Sequence, residues 1–451
     1  MTRRLAGLLG KSLKQAKLAH VPDPRDRRGR RWKLSPLLGA AIGGTTAGCK
    51  SLSAVEQLTR DMSNSMRRWL GIGRRVPDTT RRDALCAMTP EALLPRLHAL
   101  VLAAHRRKAL RPEGLPFGVL ALDGKGTALP SCDDGFAQRQ SSPNDDSLTG
   151  VVRTVTAALV STAARPCIDV TPIPAHTNEM GRFAKTLMGA VRAYGSGDLF
   201  RLVTYDAGAC SLDNATLTRK HHLHYLFGLK QNQVSLYDES LLTFASRPKE
   251  SADAQSVNQD SGMTTTRRLY LSPAGAAPEG WTHLRTLLRI DSETRDGAGN
   301  IVASDRRYFI SSLAMERLTA TQWLTIVRRH YVGTASALRR HCGGTAAALR
   351  RYWGVESVHQ GVESVHQTLD VAFEQDERPW IRDDPRAMCV VLTLRRLAYT
   401  VLALFRAVSQ RSAEKRATPW KALLRPVQLA LLTAHPEHLR GLKHRPVAAP
   451  G

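Results

Sequence analysis

The chain of 451 residues is short of cysteine, of negative charge and of long apolar runs. Its seven cysteines are scattered, and no two form a Cys-x-x-Cys pair. That excludes a zinc knuckle and a disulfide framework, and predicts reduced, buried thiols in a cytosolic protein. No Gly-rich phosphate loop of the Walker type occurs, which excludes a P-loop nucleotidase. The apolar stretch at 388–405 is interrupted by Arg395 and Arg396 and reads as too polar to span a membrane. Lys11, Lys14 and Lys17 break any apolar run at the N-terminus, so no secretory signal is read there. Asp and Glu number 39 against 65 Lys and Arg, a net charge of +26. Such a surplus favours a polyanionic partner, nucleic acid first. Hydrophobic residues make up 42% of the chain, so disorder is excluded as the default, and the length predicts two or three domains.

Residues 1–35 carry eleven Lys or Arg and two Asp, concentrated at 22–31, which suits either a basic arm on phosphates or a solvated linker. Small apolar residues at 35–52 predict a tightly packed helix with Ser35 as N-cap and Pro36 in its first turn. Further helices are predicted near 54–70 and 90–107, the latter capped by Thr89. Between them, 74–82 reads as a basic turn suited to a DNA backbone. After 112–116 the texture becomes strand-like. A short apolar run ends in Asp123-Gly124, and a polar loop follows to about Gly150. Strands are predicted at 153–162 and 167–171, a helix from Asn178 to Tyr194, and a strand at 200–205 ending in Asp206. A helix capped by Ser211 or Asp213 and a strand at 224–229 complete a β-β-β-α-β-α-β order. Residues 235–318 read as a β-rich insertion with a hairpin turn at 296–300, and the remainder as helical.

Two internal repeats stand out late in the chain. Arg328-Arg329, Arg339-Arg340 and Arg350-Arg351 recur every eleven residues, and these arginines could track phosphates. Gly-Val-Glu-Ser-Val-His-Gln occurs at 354–360 and again at 361–367. Seven residues are close to two helical turns, so Glu356 and Glu363 fall roughly 20° apart on one helix face. The two-turn rise of about 11 Å means that both cannot occupy one site.

Asp123 and Asp206 each close a predicted strand, and a late helical glutamate supplies a third acid. Carboxylates grouped in this way are what a metal-dependent phosphoryl-transfer site requires. The clustered His221, His222 and His224 have no cysteine or carboxylate at ligand spacing and do not read as a zinc site.

At this point the chain resembles bacterial insertion-sequence transposases of the DDE class, closest to the H-repeat-associated branch. The resemblance rests on Pro-Arg-x-x-Arg-Gly at 24–29, Leu-Asp-Gly-Lys at 122–125, His-Thr-Asn-Glu at 176–179 and Asp206-Ala-Gly. It continues through the segments at 225–233 and 308–313, then Trp-Gly-Val-Glu and His-Gln-Thr-Leu-Asp, with Glu374-Gln-Asp376 beyond. It implies an α/β fold with an RNase H-like mixed sheet flanked by helices, a β-rich insertion, and all-helical N- and C-terminal regions. It implies Asp123, Asp206 and a glutamate as catalytic residues. Because the sequence downstream of His366 runs on undisturbed, Glu363 is preferred to Glu356 as the third metal ligand beside Asp123 and Asp206.

The implied organisation is a basic, helical DNA-binding region (1–110), the first part of the catalytic core (111–234), the insertion (235–318), the helical part carrying the third acid (319–410) and a basic tail (411–451). Two Mg2+ ions, with Mn2+ as a substitute, would serve cleavage and strand transfer on double-stranded DNA at element ends and target. A homodimer on DNA, a bacterial cytoplasmic location near the nucleoid and no membrane partner complete the expectation. Lys230, Asn232, Arg350 and Arg351 are the expected DNA contacts. The alternatives are a catalytically inactive DNA-binding remnant and a metal-dependent nuclease without strand transfer.

Overall fold

A computed structural model describes residues 2–130, 135–142, 145–260, 262–275, 280–331, 362–409 and 418–439. The described residues form a mixed α/β structure with thirteen α-helices and ten strands in one sheet.

Six helices come first: α1 (Thr2–Gln15), α2 (Leu34–Thr46), α3 (Leu52–Asp61), α4 (Asn64–Leu70), α5 (Asp78–Cys86) and α6 (Leu94–Arg106). Helix α2 is buried on nearly every side. Its glycines permit this: a Cβ on Gly44 would lie 2.6 Å from the Val55 side chain of α3. The helix begins at Leu34 with Lys33 as N-cap, so Ser35 lies inside the first turn and is not the cap. The segment at 74–82 is likewise not a free basic turn. It leads into α5, and the buried Arg81 donates to the Leu52 and Val76 carbonyls at 2.8 and 2.7 Å. Nor is 22–31 a loose arm, because Arg25 pairs with Asp23 at 2.8 Å and also donates to the Trp32 carbonyl.

The sheet begins with β1 (Val119–Pro130), β2 (Ala137–Ser142), β3 (Asp145–Leu159) and β4 (Cys167–Ile173). The polar stretch after Asp123 is therefore strand over most of its length and not a loop. It pairs through β1 and β3, from Leu120 opposite Leu159 to Pro130 opposite Thr149. Polar residues hide this from a periodicity reading, since an antiparallel extension can be hydrated and needs no apolar face. After α7 (Phe183–Tyr194), β5 (Leu202–Tyr205), α8 (Leu212–Lys220) and β6 (His224–Leu229) follow. The helix α7 starts at Phe183; Asn178 lies before the preceding 3-10 turn, whose N-cap is Glu179, and accepts from the Gly181 amide at 3.0 Å.

Next come α9 (Val234–Ala245), β7 (Ala254–Asp260), β8 (Met263–Pro273), β9 (Thr286–Arg295) and β10 (Ile301–Ser311). The strand order is β2-β3-β1-β5-β6-β10-β9-β8-β7, with β4 also on β3. Strands β1, β5 and β6 run parallel, and the other pairs are antiparallel. Two points differ from the sequence expectation for 235–318: it opens with a helix, and its last strand pairs directly with β6. The hairpin turn at 296–300 forms as expected, with the Asp296 carboxylate accepting from the Ala298 and Asn300 amides.

The chain closes with α10 (Ala320–Tyr331), α11 (Val362–Phe373), α12 (Pro385–Leu404) and α13 (Trp420–Thr433). Helix α12 is the centre of the molecule, packed between the sheet and the N-terminal helices. Over Pro385–Ala407 it is, by length and composition, apolar enough to cross a membrane, contrary to the sequence reading, yet that window is wholly enclosed by protein. Its two arginines stay inside because their terminal guanidinium nitrogens find acceptors there, although the Arg395 Nε has none. Arg395 reaches the Gln375 and Arg378 carbonyls, and Arg396 reaches Thr154, Thr156, Gln375 and the Leu392 carbonyl. Among the described residues the five cysteines are free, three of them buried.

Candidate active site

Strands β1 and β5 align Val119 with Leu202 and Ala121 with Thr204. The ladder stops there; two residues further along each chain come Asp123 and Asp206, near enough for the Asp206 carboxylate to act on Asp123. Asp206 turns into a short 3-10 segment, Ala207–Ala209, and its Oδ1 accepts from the Gly208 amide at 3.0 Å. Asn232, just past β6, braces that turn by donating to the Ala207 carbonyl at 2.9 Å. Its side chain is thus engaged within the protein, whereas Lys230 is exposed.

Asp123 is half-buried, with 27% of its side chain exposed. Burial first, and the neighbouring Asp206 carboxylate second, push its pKa up to about 7. Two crowded carboxylates of this kind favour any cation that can reach them, and the open fraction of Asp123 leaves a way in.

Helix α11 docks on Asp123. The His366 Nδ1 lies 3.1 Å from the Asp123 Oδ2, and His366 is almost fully buried. Burial, reinforced by Lys125 and Arg396, holds its pKa well below the usual imidazole value, so the ring is neutral. With Asp123 ionised, the ring proton belongs on Nδ1.

The next inward residue of β1, Lys125, continues the contact. Its Nζ reaches the Asp370 Oδ2 at 2.8 Å and the Asp376 Oδ2 at 2.9 Å. Gln375 donates to Thr127 at 3.2 Å and accepts from Arg396 at 2.9 Å. Asp123, Lys125 and Thr127 alternate on one face of β1, and together they fix the helix end to the strand.

Glu363 is in the first turn of α11, three residues before His366. Glu356, Arg350, Arg351, Arg339 and Arg340 lie outside the described residues. Arg328 and Arg329 are partly buried in α10 and donate to Asn258 and to the Ser161 carbonyl. Among the described residues, no group of three or more His, Cys, Asp or Glu side chains is arranged to hold a metal ion.

One residue of this neighbourhood carried no assigned role in the sequence reading. Glu179, in the turn before α7, accepts from the Tyr205 hydroxyl at 2.9 Å. Burial and the charge of Asp123 raise its pKa to about 7. Its only sequence signal was membership of the His-Thr-Asn-Glu segment. A cavity of about 500 Å3 opens beside it, lined by Gly124, Lys125, Gly126, Arg153 and Asp376 among others.

No curated protein matches the chain. A family model described as DDE_Tnp_1-associated does match, over residues 15–100, the span from the end of α1 into α6. That match points to the DDE transposase family.

Proposed function

We propose that this chain is the transposase of a bacterial insertion sequence, built on an RNase H-like core and acting through Asp123, Asp206 and Glu363. The observation that carries the reading is the juxtaposition of Asp123, within β1, and Asp206, just past the end of β5, with a helix that docks on Asp123 one turn after Glu363. The three antiparallel strands β4, β3 and β1, continued by parallel β5 and β6, support the core assignment. The basic charge of +26 suits a DNA substrate, and the match at 15–100 agrees with it.

Asp123 and Asp206 suit a hard divalent cation. Both are carboxylates, near one another, and crowding makes their joint ionisation costly without a cation. Magnesium bound there would polarise the scissile phosphate and lower the pKa of the attacking water or 3′-hydroxyl. The remaining work belongs to the protein. His366 orients Asp123, and Lys125 with Asp370 and Asp376 holds α11 in register on β1. The Asn232 amide keeps the turn after Asp206 in place.

The test is a cleavage and joining assay with the full chain, magnesium and duplex DNA carrying the ends of its own element. Wild type should nick and join. Glu363→Gln should lower cleavage by about 10³-fold or more, and Glu356→Gln should leave it within a few-fold. Loss in Glu356→Gln with survival of Glu363→Gln moves the third acid to the first copy of the repeat. Cleavage without joined product identifies a nuclease. Salt-sensitive DNA binding with no cleavage identifies an inactive remnant.

A further inference from the structure

Strand β1 outruns its neighbour. The β1–β5 ladder ends with Ala121 opposite Thr204, while β1 continues to Pro130. Beyond that point no strand of the described residues lies along the edge of β1 facing β5. Glu179 fills the place. Its carboxylate is pressed against Gly124 of β1 and takes a hydrogen bond from the Tyr205 hydroxyl of β5 at 2.9 Å. The fit against the strand is close. A Cβ on Gly124 would fall 1.8 Å from the Glu179 Oε2, so only glycine admits the carboxylate at this position.

The two contacts are telling in their placement. Gly124 is the residue after Asp123, and Tyr205 is the residue before Asp206. Tyr205 and Gly124 also belong to the sheet face opposite to the aspartates, by the alternation of side chains along a strand. Glu179 therefore sits beneath the aspartate pair, packed against β1 and hydrogen-bonded to β5. Burial and Glu179 itself drive the Tyr205 pKa far above its ordinary value, so the hydroxyl remains a donor at any working pH. Phe183 stacks on the Tyr205 ring at 5.6 Å between centroids and holds it against α7.

We propose that Glu179 is a positioning residue that sets the spacing and relative height of Asp123 and Asp206 by clamping β1 to β5 where their own ladder ends. The catalytic consequence rests on the proposed function; the clamp itself rests on the packing of the carboxylate against Gly124 and its hydrogen bond from Tyr205.

Two readouts on the full chain separate those layers. The first is amide hydrogen exchange in the peptides covering 119–130 and 202–209, and the second is magnesium-dependent cleavage. Glu179→Ala should speed exchange in both peptides by about tenfold or more while leaving α12 protected, which shows that the fold survives. It should lower cleavage by about 100-fold, the scale of a misplaced catalytic group.

Glu179→Gln should stay within about threefold of wild type in both. The Gln side chain fills the same space against Gly124, and its amide group can still hydrogen-bond the Tyr205 hydroxyl. Gly124→Ala should reproduce Glu179→Ala, since its methyl group displaces the carboxylate. Unchanged exchange in Glu179→Ala overturns the clamp. So does a Glu179→Gln protein as inactive as Glu179→Ala, because charge and not geometry would then be the requirement. Faster exchange in Glu179→Ala, in a protein whose wild type cleaves no DNA, supports the clamp and overturns the proposed activity.

Discussion

Asp206→Asn is expected to lower metal-dependent cleavage by at least about 10³-fold and, in the same protein, to raise the stability of the metal-free state. The second effect follows from Asp123. Its folded pKa of about 7 lies above the unfolded carboxylate value of about 3.9. A group shifted upward in the folded state favours folding while protonated. Its contribution is fully present below pH ~4 and is lost as the pH rises through about 7. Removing the Asp206 charge eliminates the second cause of the shift and leaves the first, burial, in place. The gain at pH 8 should therefore be modest, about 1 kcal/mol. Thermal melts in chelator at pH 5 and pH 8 provide the check. Wild type should lose more stability between the two than Asp206→Asn, and added magnesium should stabilise wild type by the larger margin. Equal pH slopes for the two proteins would show that the carboxylates do not feel one another.

Arg396→Ala is expected to cost about 3–5 kcal/mol of folding stability, the largest single-residue loss predicted for this chain. Arg396 is fully buried, and its partners are neutral: two threonine hydroxyls of β3, the Leu392 carbonyl and the Gln375 amide oxygen. Truncation opens a cavity between α12 and the sheet and strands those acceptors. It also frees Gln375, which ties the end of α11 to Thr127. Loss of stability should therefore be accompanied by loss of the docking of α11. Denaturant unfolding measures the first, and protease sensitivity near residues 374–378 under native conditions the second. Arg396→Lys should recover only part of the stability, because a single ammonium cannot reproduce the planar fork that reaches β3 and Gln375 together. A loss below about 1 kcal/mol in Arg396→Ala would mean that the buried charge costs as much as its hydrogen bonds return.

Asp206 was legible as a strand end because the apolar run before it stops there, whereas Asp123 marks the end of the apolar part of β1 and not of the strand, which runs on to Pro130. Their alignment was not legible, since β5 pairs with β1 although β2, β3 and β4 intervene in the chain, and only the β5–β6 pairing follows from a β-α-β connection. Nor was Glu179, although its segment was conspicuous. Its role depends on β1 outlasting β5, and no periodicity in either strand reveals their relative lengths. The strands within 125–150 were missed for a related reason: a hydrated antiparallel extension carries no apolar alternation. His366 was visible as part of a repeat but not as a contact of Asp123. Arg395 and Arg396 appeared as interruptions of an apolar helix, because a sequence cannot say which carbonyls and hydroxyls will meet a buried guanidinium.

The pairing of β10 with β6 has a consequence for how this chain can be cut. A segment that forms its own sheet can be removed at its boundaries, leaving the remainder closed. Here the four strands β7 to β10 complete the sheet that holds Asp206, and β6 is shielded on that side only by β10. Excising 235–311 would leave His224–Leu229, buried and strongly apolar, as an open edge with unsatisfied amides. Edges of that kind recruit other chains. The segment 235–311 thus acts as the sheet's solubility guard, and a fragment lacking it should aggregate.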